Sequence, residues 1–249
     1  MAKGDLAPLW DAHVHLASYP DPGSVVSSAS SRGTRLMTST VAPREAALNL
    51  EIRGAAPGFV RCFIGVHPSE AASLTEGLGP LQALWEDADG VGEVGLDPKY
   101  SDASPGGAQA RLFEAQVDVA ERLGKPLQVH SRGAEEACLD VLDARTLGRV
   151  LLHWFEGEGT VERVLSRKGR FVSFGPAVLY SKKLSRLACR FPPDSVLAES
   201  DGPVSFAALG DVGGPGMIPS VVFKLAELWG KRFEDVVLQL SENAEEYLG

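Results

Sequence analysis

The chain has 249 residues, 44% of them hydrophobic and 23% charged, with a formal net charge of −9 at pH 7. That length supports one sizeable core, and the acidic balance excludes a protein that coats long nucleic acid by charge alone, though not one that handles a nucleic-acid end locally. No apolar run approaches the roughly 18–20 residues needed to cross a bilayer; the N-terminus lacks an apolar signal core and Cys62, Cys138 and Cys189 are scattered, so the expected location is cytoplasmic, with reduced thiols and no membrane partner.

Along the chain, short apolar segments alternate with longer amphipathic ones. Strands are expected at 9–15 and 35–41, followed by a helix at 44–53. A third strand at 60–66 leads to a helix at 81–88, and a fourth at 92–96 to a helix at 108–123. The pattern continues with strand 127–130 and helix 134–143, strand 150–153 and helix 161–167, and strand 171–174 and helix 182–190. Strand 196–199 comes last, and helices at 220–229 and 233–247 close the sequence. In the 108–123 segment Leu112, Ala115, Val119 and Leu123 fall on one helical face, Gly124 stops the helix and Pro126 opens the next strand.

The strand segments read as continuous apolar runs, the pattern of parallel strands buried on both faces. Eight of them alternating with helices predict the α/β class and a (β/α)₈ TIM barrel, a single domain over residues 1–249. No Gly-x-Gly-x-x-Gly follows the first strand, so the dinucleotide-binding alternative lacks its fingerprint. The Gly/Pro-rich stretch 210–219 follows the last strand and reads as an active-site loop.

Polar residues at the strand ends carry the chemistry. The sequence has five histidines: His13 and His15 end the first strand, His67 follows the third, His130 ends the fifth and His153 the sixth. Glu93 lies in the fourth strand and Asp201 follows the eighth. In a barrel all C-terminal strand ends open on one face, and residues i and i+2 of a strand point to the same side, so His13 and His15 can both face the mouth. One such histidine is more often a packed residue than a ligand. Five, with two acids placed alike, are hard to produce by packing, because buried carboxylates and imidazoles are costly unless paired or metal-bound. Four histidines and two carboxylates exceed the needs of one tetrahedral ion and suit two divalent ions. Imidazole with carboxylate fits Zn, Mn or Fe, and fits a pure Mg site less well.

The stretches Asp11-Ala-His-Val-His-Leu16, Gly65-Val-His-Pro68, Gly92-Glu-Val-Gly-Leu-Asp97, Gln128-Val-His-Ser-Arg132, Leu151-Leu-His-Trp-Phe155 and Glu199-Ser-Asp-Gly-Pro203 resemble, in order, the motifs of the TatD-type metal-dependent hydrolases. The resemblance implies a two-metal barrel in which His13, His15, Glu93 and Asp201 hold one ion and Glu93, His130 and His153 the other, with Glu93 bridging. It also implies phosphodiester hydrolysis, including 3′-to-5′ removal of nucleotides from DNA ends. Where the family commonly has Cys after the sixth-strand histidine this chain has Trp154, and Glu156 stands where a small residue is usual.

On this reading water attacks phosphorus in line, with Asp201 and Glu93 in catalytic positions and Asp201 as either general base or ligand only. Arg132 would grip a substrate phosphate or form a rim salt bridge. His67 would protonate a leaving oxygen, hold a phosphate, or support the ligands. Asp11 and Glu199 are expected to be buried acids that orient ligands, and Lys99, Lys182 and Lys183 would extend a phosphate track or simply be solvated. Two other classes compete. One is an amide or ester hydrolase, such as an aminoacyl-ester deacylase, although the fourth strand has no lysine of the kind that bridges metals in many amide-cleaving barrels. The other is a non-enzymatic binding protein that retains the barrel.

Overall fold

A computed structural model describes residues 7–74, 77–206 and 208–249. Eight parallel strands follow one another around a sheet in sequence order: β1 (Leu9–Val14), β2 (Thr34–Ser39), β3 (Val60–Ile64), β4 (Gly90–Gly95), β5 (Leu127–His130), β6 (Val150–Leu152), β7 (Arg170–Phe174) and β8 (Val196–Ala198). The intervening helices are α1 (Pro22–Ser31), α2 (Ala46–Ala55), α3 (Gln82–Asp87), α4 (Ala108–Leu123), α5 (Glu135–Asp143), α6 (Val161–Leu165) and α7 (Lys182–Ala188). A short antiparallel pair, β9 (Ser205–Phe206) with β10 (Asp211–Val212), precedes α8 (Ile218–Trp229) and α9 (Phe233–Leu248). This is the expected (β/α)₈ architecture. The last strand returns to the first, where Asp201 N donates to His13 O at 2.9 Å and His15 N to Gly202 O at 2.8 Å. Among the described residues no helix is long and apolar enough to cross a membrane.

Two elements differ from the expectation. Helix α1 was not anticipated: its sequence PGSVVSSASS buries only Ala29 fully, so it lacks an apolar stripe. What starts it is local, with Asp21 accepting from Ser24 N at 3.0 Å and Pro22 in the first turn. The 210–219 stretch is not one loop, because it carries β10 and the start of α8.

The barrel interior is layered. At the N-terminal end Trp10, Met37, Phe63, Leu151, Phe171 and Leu197 pack together, and Tyr247 of α9 closes the cluster from below, stacked on Phe63 at 5.8 Å. Each such buried side chain contributes roughly 1.5–3 kcal/mol. Above this apolar plug the interior turns polar, with Gln128, Ser39 and His13 fully buried.

Helix α4 connects the shell to the strand ends. Its buried face is Ala110, Leu112, Phe113, Val117, Val119 and Ala120 together with two glutamines. Ala115, expected on that face, is exposed. Gln116 accepts from Val66 N at 2.7 Å and donates to Val66 O at 3.1 Å. Gln109 accepts from Asp97 N at 2.8 Å and donates to Asp97 O at 2.9 Å. Each amide satisfies both backbone groups of a residue just past a strand end, next to His67 and within the Asp97 loop, where no neighbouring strand remains to do so. The helix stops at Gly124, which adopts the left-handed conformation with φ 64°.

Candidate metal centre

All five histidines, Glu93 and Asp201 converge at the C-terminal mouth of the barrel, around a cavity of about 580 Å³. His13 sits inside a register irregularity of β1 and Glu93 inside one of β4. Such irregularities re-aim side chains that a regular strand would direct elsewhere. Gly95, two residues past Glu93, has φ 143°, and a Cβ there would lie 1.9 Å from His130 O, so only glycine lets β4 and β5 come this close.

Four donor atoms face one another on the β1 side. His13 Nε2 and His15 Nε2 are 3.2 Å apart, and Glu93 Oε2 lies 3.5 and 3.4 Å from them. Asp201 Oδ1 is 3.7 Å from His13 Nε2 and 3.3 Å from His15 Nε2. A tetrahedral ion with bonds of about 2.0–2.2 Å has ligand–ligand edges of about 3.3–3.6 Å, so His13, His15 and Glu93 are spaced as one ion requires, and Asp201 lies near that spacing from both histidines. Their outer nitrogens are held. His13 Nδ1 donates to Gln128 Oε1 at 2.9 Å and His15 Nδ1 to Ser39 O at 3.2 Å, which turns both Nε2 atoms toward the centre.

A second group forms around the other oxygen of Glu93. Oε1 lies 2.7 Å from His153 Nε2 and 2.8 Å from His130 Nδ1, with 3.2 Å between those nitrogens. His130 Nε2 donates to Asp97 Oδ2 at 2.8 Å, and His153 Nδ1 faces Glu199 Oε2 at 3.6 Å, too far for a direct hydrogen bond. Two imidazole nitrogens and a carboxylate oxygen therefore meet at hydrogen-bond distance, an arrangement in which a proton or a cation is shared among them. The charge balance agrees. Burial disfavours charge on both Glu93 and His15. The imidazoles nevertheless hold Glu93 well below the carboxylate range, and Asp201 and Glu93 pull His15 up to about 9. The donor set thus fits divalent metal ions, with imidazoles facing both oxygens of Glu93.

His67 is the fifth histidine of the cluster and differs from the others. Ser69 N donates to its Nδ1 at 3.1 Å, so the neutral ring carries its hydrogen on Nε2, which points toward Glu93 Oε1 at 3.6 Å. Burial pushes its pKa down to about 4 against the pull of Glu93, so the ring is neutral. In this state the inward nitrogen is a hydrogen-bond donor, and it also lies with Glu93 and His130 in a group spaced to hold a metal ion.

Arg132 lies on the cavity wall. Its guanidinium pairs with Asp97 Oδ2 at 2.5 Å, the same oxygen that receives His130, and sits 5.4 Å over the Tyr100 ring. The side chain is 46% exposed, so the rim ion pair is present and part of the guanidinium remains open at the cavity wall. Asp11 accepts from Ser200 N at 2.8 Å and from Ser200 Oγ at 2.5 Å, fixing the segment that presents Asp201, and burial pushes it up to about 8. Lys99 and Lys182 are exposed and do not line the cavity, and Lys183 is held by Glu156 at 3.3 Å. Sequence reasoning gave no role to Gln128, Gln109, Gln116 or Tyr100. A glutamine between apolar neighbours in Leu127-Gln-Val-His130 was the one available signal.

A parallel eight-stranded barrel with imidazole and carboxylate donors gathered at its C-terminal mouth defines a metal-dependent hydrolase of the barrel type. Residues 10–249 match the family model described as TatD related DNase, and the chain belongs to that family. It is 30% identical over 196 residues to the uncharacterized metal-dependent hydrolase YabD of Bacillus subtilis strain 168, covering 75% of this chain and 76% of the relative. It is 28% identical over 207 residues to the 3'-5' ssDNA/RNA exonuclease TatD of Musicola paradisiaca, covering 78% of each. The fold superimposes on YJJV, a TatD homolog from Escherichia coli K12, with a TM-score of 0.84 at 21% identity, over 97% of this chain and 98% of that one.

Proposed function

We propose that this chain, as one hydrolase domain, cleaves phosphodiester bonds at nucleic-acid ends, DNA above all, as a 3′-to-5′ exonuclease using two divalent ions. The observation that carries the reading is the double use of Glu93, with Oε2 facing His13 and His15 and Oε1 facing His130 and His153. His13, His15, Glu93 and Asp201 would hold one ion and Glu93, His130 and His153 the other, with Zn, Mn, Fe and Mg as the candidate metals. When bound, the ions supply Lewis-acid charge at the phosphate and bring the pKa of water toward neutrality. Asp201, kept ionised by His15 against the effect of burial, accepts the proton of the attacking water. His67 donates its Nε2 hydrogen to a phosphate oxygen, and Arg132 offers the guanidinium edge not taken by Asp97. The name of the Musicola relative supports the substrate class.

The absence of lysine from β4, whose sequence is GVGEVG, speaks against an amide hydrolase with a lysine-bridged centre. The test is a substrate panel with Mn²⁺, Mg²⁺ and Zn²⁺: single- and double-stranded DNA, RNA, a generic phosphodiester and a carboxylic ester, with Glu93→Ala and Asp201→Asn alongside. Cleavage of DNA lost in both variants is the expected result. Ester cleavage alone would move the protein to the other hydrolase class, and failure to retain any metal would leave a binding protein.

A further inference from the structure

We propose that Trp154 is a stacking platform for a nucleobase of the substrate, the residue that makes this phosphate-cleaving site selective for nucleotides. The proposal rests on the phosphodiesterase reading and concerns the part of the substrate that does not react.

Trp154 follows His153 directly and lines the cavity together with Pro203 and Val204. Its backbone has φ 41°, a conformation that bulky side chains rarely adopt. Among the described residues the one other non-glycine residue with positive φ is Asp201, at 47°, in the same cavity. An indole in such a conformation stands beside the candidate centre, packed in part against the hydrophobic core and in part exposed. Phe206 of β9 stacks against it, with ring centroids 5.4 Å apart and planes 15° from parallel. Phe206 is itself buried. One face of the indole is therefore backed and its orientation fixed, while the exposed part lies in the cavity wall. A pre-oriented aromatic ring loses little freedom when a second ring stacks on it.

The cavity lining is chemically mixed. Arg132 brings positive charge, His67 and Ser69 bring polar groups, and Trp154, Pro203 and Val204 bring apolar surface. Glu156, which also borders a neighbouring groove together with Arg132, holds Lys183 at 3.3 Å. A ligand with an anionic group for Arg132 and a flat apolar ring for Trp154 uses both, and a nucleotide has this form. A simple alkyl phosphodiester uses only the first.

The experiment compares the deoxyadenosine dinucleotide with its abasic analogue, in which tetrahydrofuran units replace both nucleosides. The readout is the ratio of kcat/KM for the two substrates. Wild-type protein is expected to prefer the base-bearing substrate by roughly 5- to 100-fold, the range a stacked base provides. In Trp154→Ala that ratio collapses toward one, mainly through KM, and in Trp154→Phe most of it returns. A ratio unchanged in Trp154→Ala overturns the proposal. A binding readout separates this from the reaction itself. Deoxyadenosine 5′-monophosphate should quench the tryptophan fluorescence of the metal-loaded wild type, deoxyribose 5-phosphate should not, and Trp154→Phe should lose the response. If the wild type cleaves no phosphodiester yet shows this quenching, the hydrolysis reading fails and the platform stands. If it cleaves DNA without quenching or base preference, the platform is refuted and the reaction stands.

Discussion

The amide of Gln128 joins the centre of the barrel to the first ligand: its carbonyl oxygen lies 2.9 Å from His13 Nδ1, and its nitrogen donates to Ala12 O at 2.7 Å. Ser39 Oγ donates to the same carbonyl. This buried amide fixes which nitrogen of His13 carries hydrogen and so which lone pair faces Glu93 and Asp201. Gln128→Leu keeps the volume and removes the acceptor. The expected result is a 10- to 100-fold loss of metal affinity, measured by competition with a chromophoric chelator, while far-ultraviolet circular dichroism stays near that of the wild type.

Metal removal should cost stability as well as activity. The centre buries two imidazole nitrogens against Glu93 Oε1, and an ion that binds the folded state alone stabilises it by about 2.7 kcal/mol at 100 times its Kd. Calorimetry with and without a chelator should show a fall of several degrees in Tm that Zn²⁺ or Mn²⁺ restores. Equal Tm values in the two conditions would count against a structural contribution from the ions.

His67 provides a contrasting case. Because Ser69 N occupies its Nδ1, His67→Ala should leave the metal content of the purified protein unchanged. Turnover should fall roughly 10²- to 10³-fold, the size of effect seen when a donor to a developing charge is removed. Loss of one metal equivalent in this variant would instead make His67 a ligand.

Stability far from the centre should respond to acid at Asp143. Its carboxylate accepts from Arg163 Nε at 2.8 Å and pairs with the buried Arg170 of β7. Burial opposes its ionisation, but the two guanidiniums hold its pKa below the ordinary carboxylate value. A lowered folded-state pKa gives stability that is complete above the unfolded value, about 3.9, and that is lost as pH falls through the folded value. Asp143→Asn should therefore be less stable than wild type by about 1–3 kcal/mol at pH 7, with no change in the gap down to about pH 5 and a narrowing below about pH 4. Urea midpoints across that range give the measurement.

The strand-end clamp by α4 makes a fourth mutational test. Gln116→Leu leaves Val66 N–H and C=O buried without partners, at about 1–3 kcal/mol for each group. Denaturant unfolding should show a loss of that order. kcat should drop too, because His67 follows Val66 in the chain.

Much of the site was legible because strand ends in a barrel share one face, so His13, His15, Glu93, His130, His153 and Asp201 can be placed together from their positions alone. What escaped the reading depends on contacts between elements. Gln109 and Gln116 look like ordinary polar helix residues until β3 and β4 are set beside them. Asp97 serves both His130 and Arg132, a sharing that no spacing announces. The β9–β10 pair has two residues per strand, too short for alternation to register. Helix α1 rests on a cap and a proline with almost no apolar face, so periodicity could not find it.

The first and last strand segments are joined through the backbone of candidate donors and of Gly202: Asp201 N to His13 O, and His15 N to Gly202 O. A nascent chain that has emerged only through α7 carries five histidines and Glu93 but has neither Asp201 nor the seam that orients His13 and His15. Such a chain cannot assemble the full set of candidate donors. The set is completed when the first strand meets the segment made some 190 residues later, at Asp201 and Gly202.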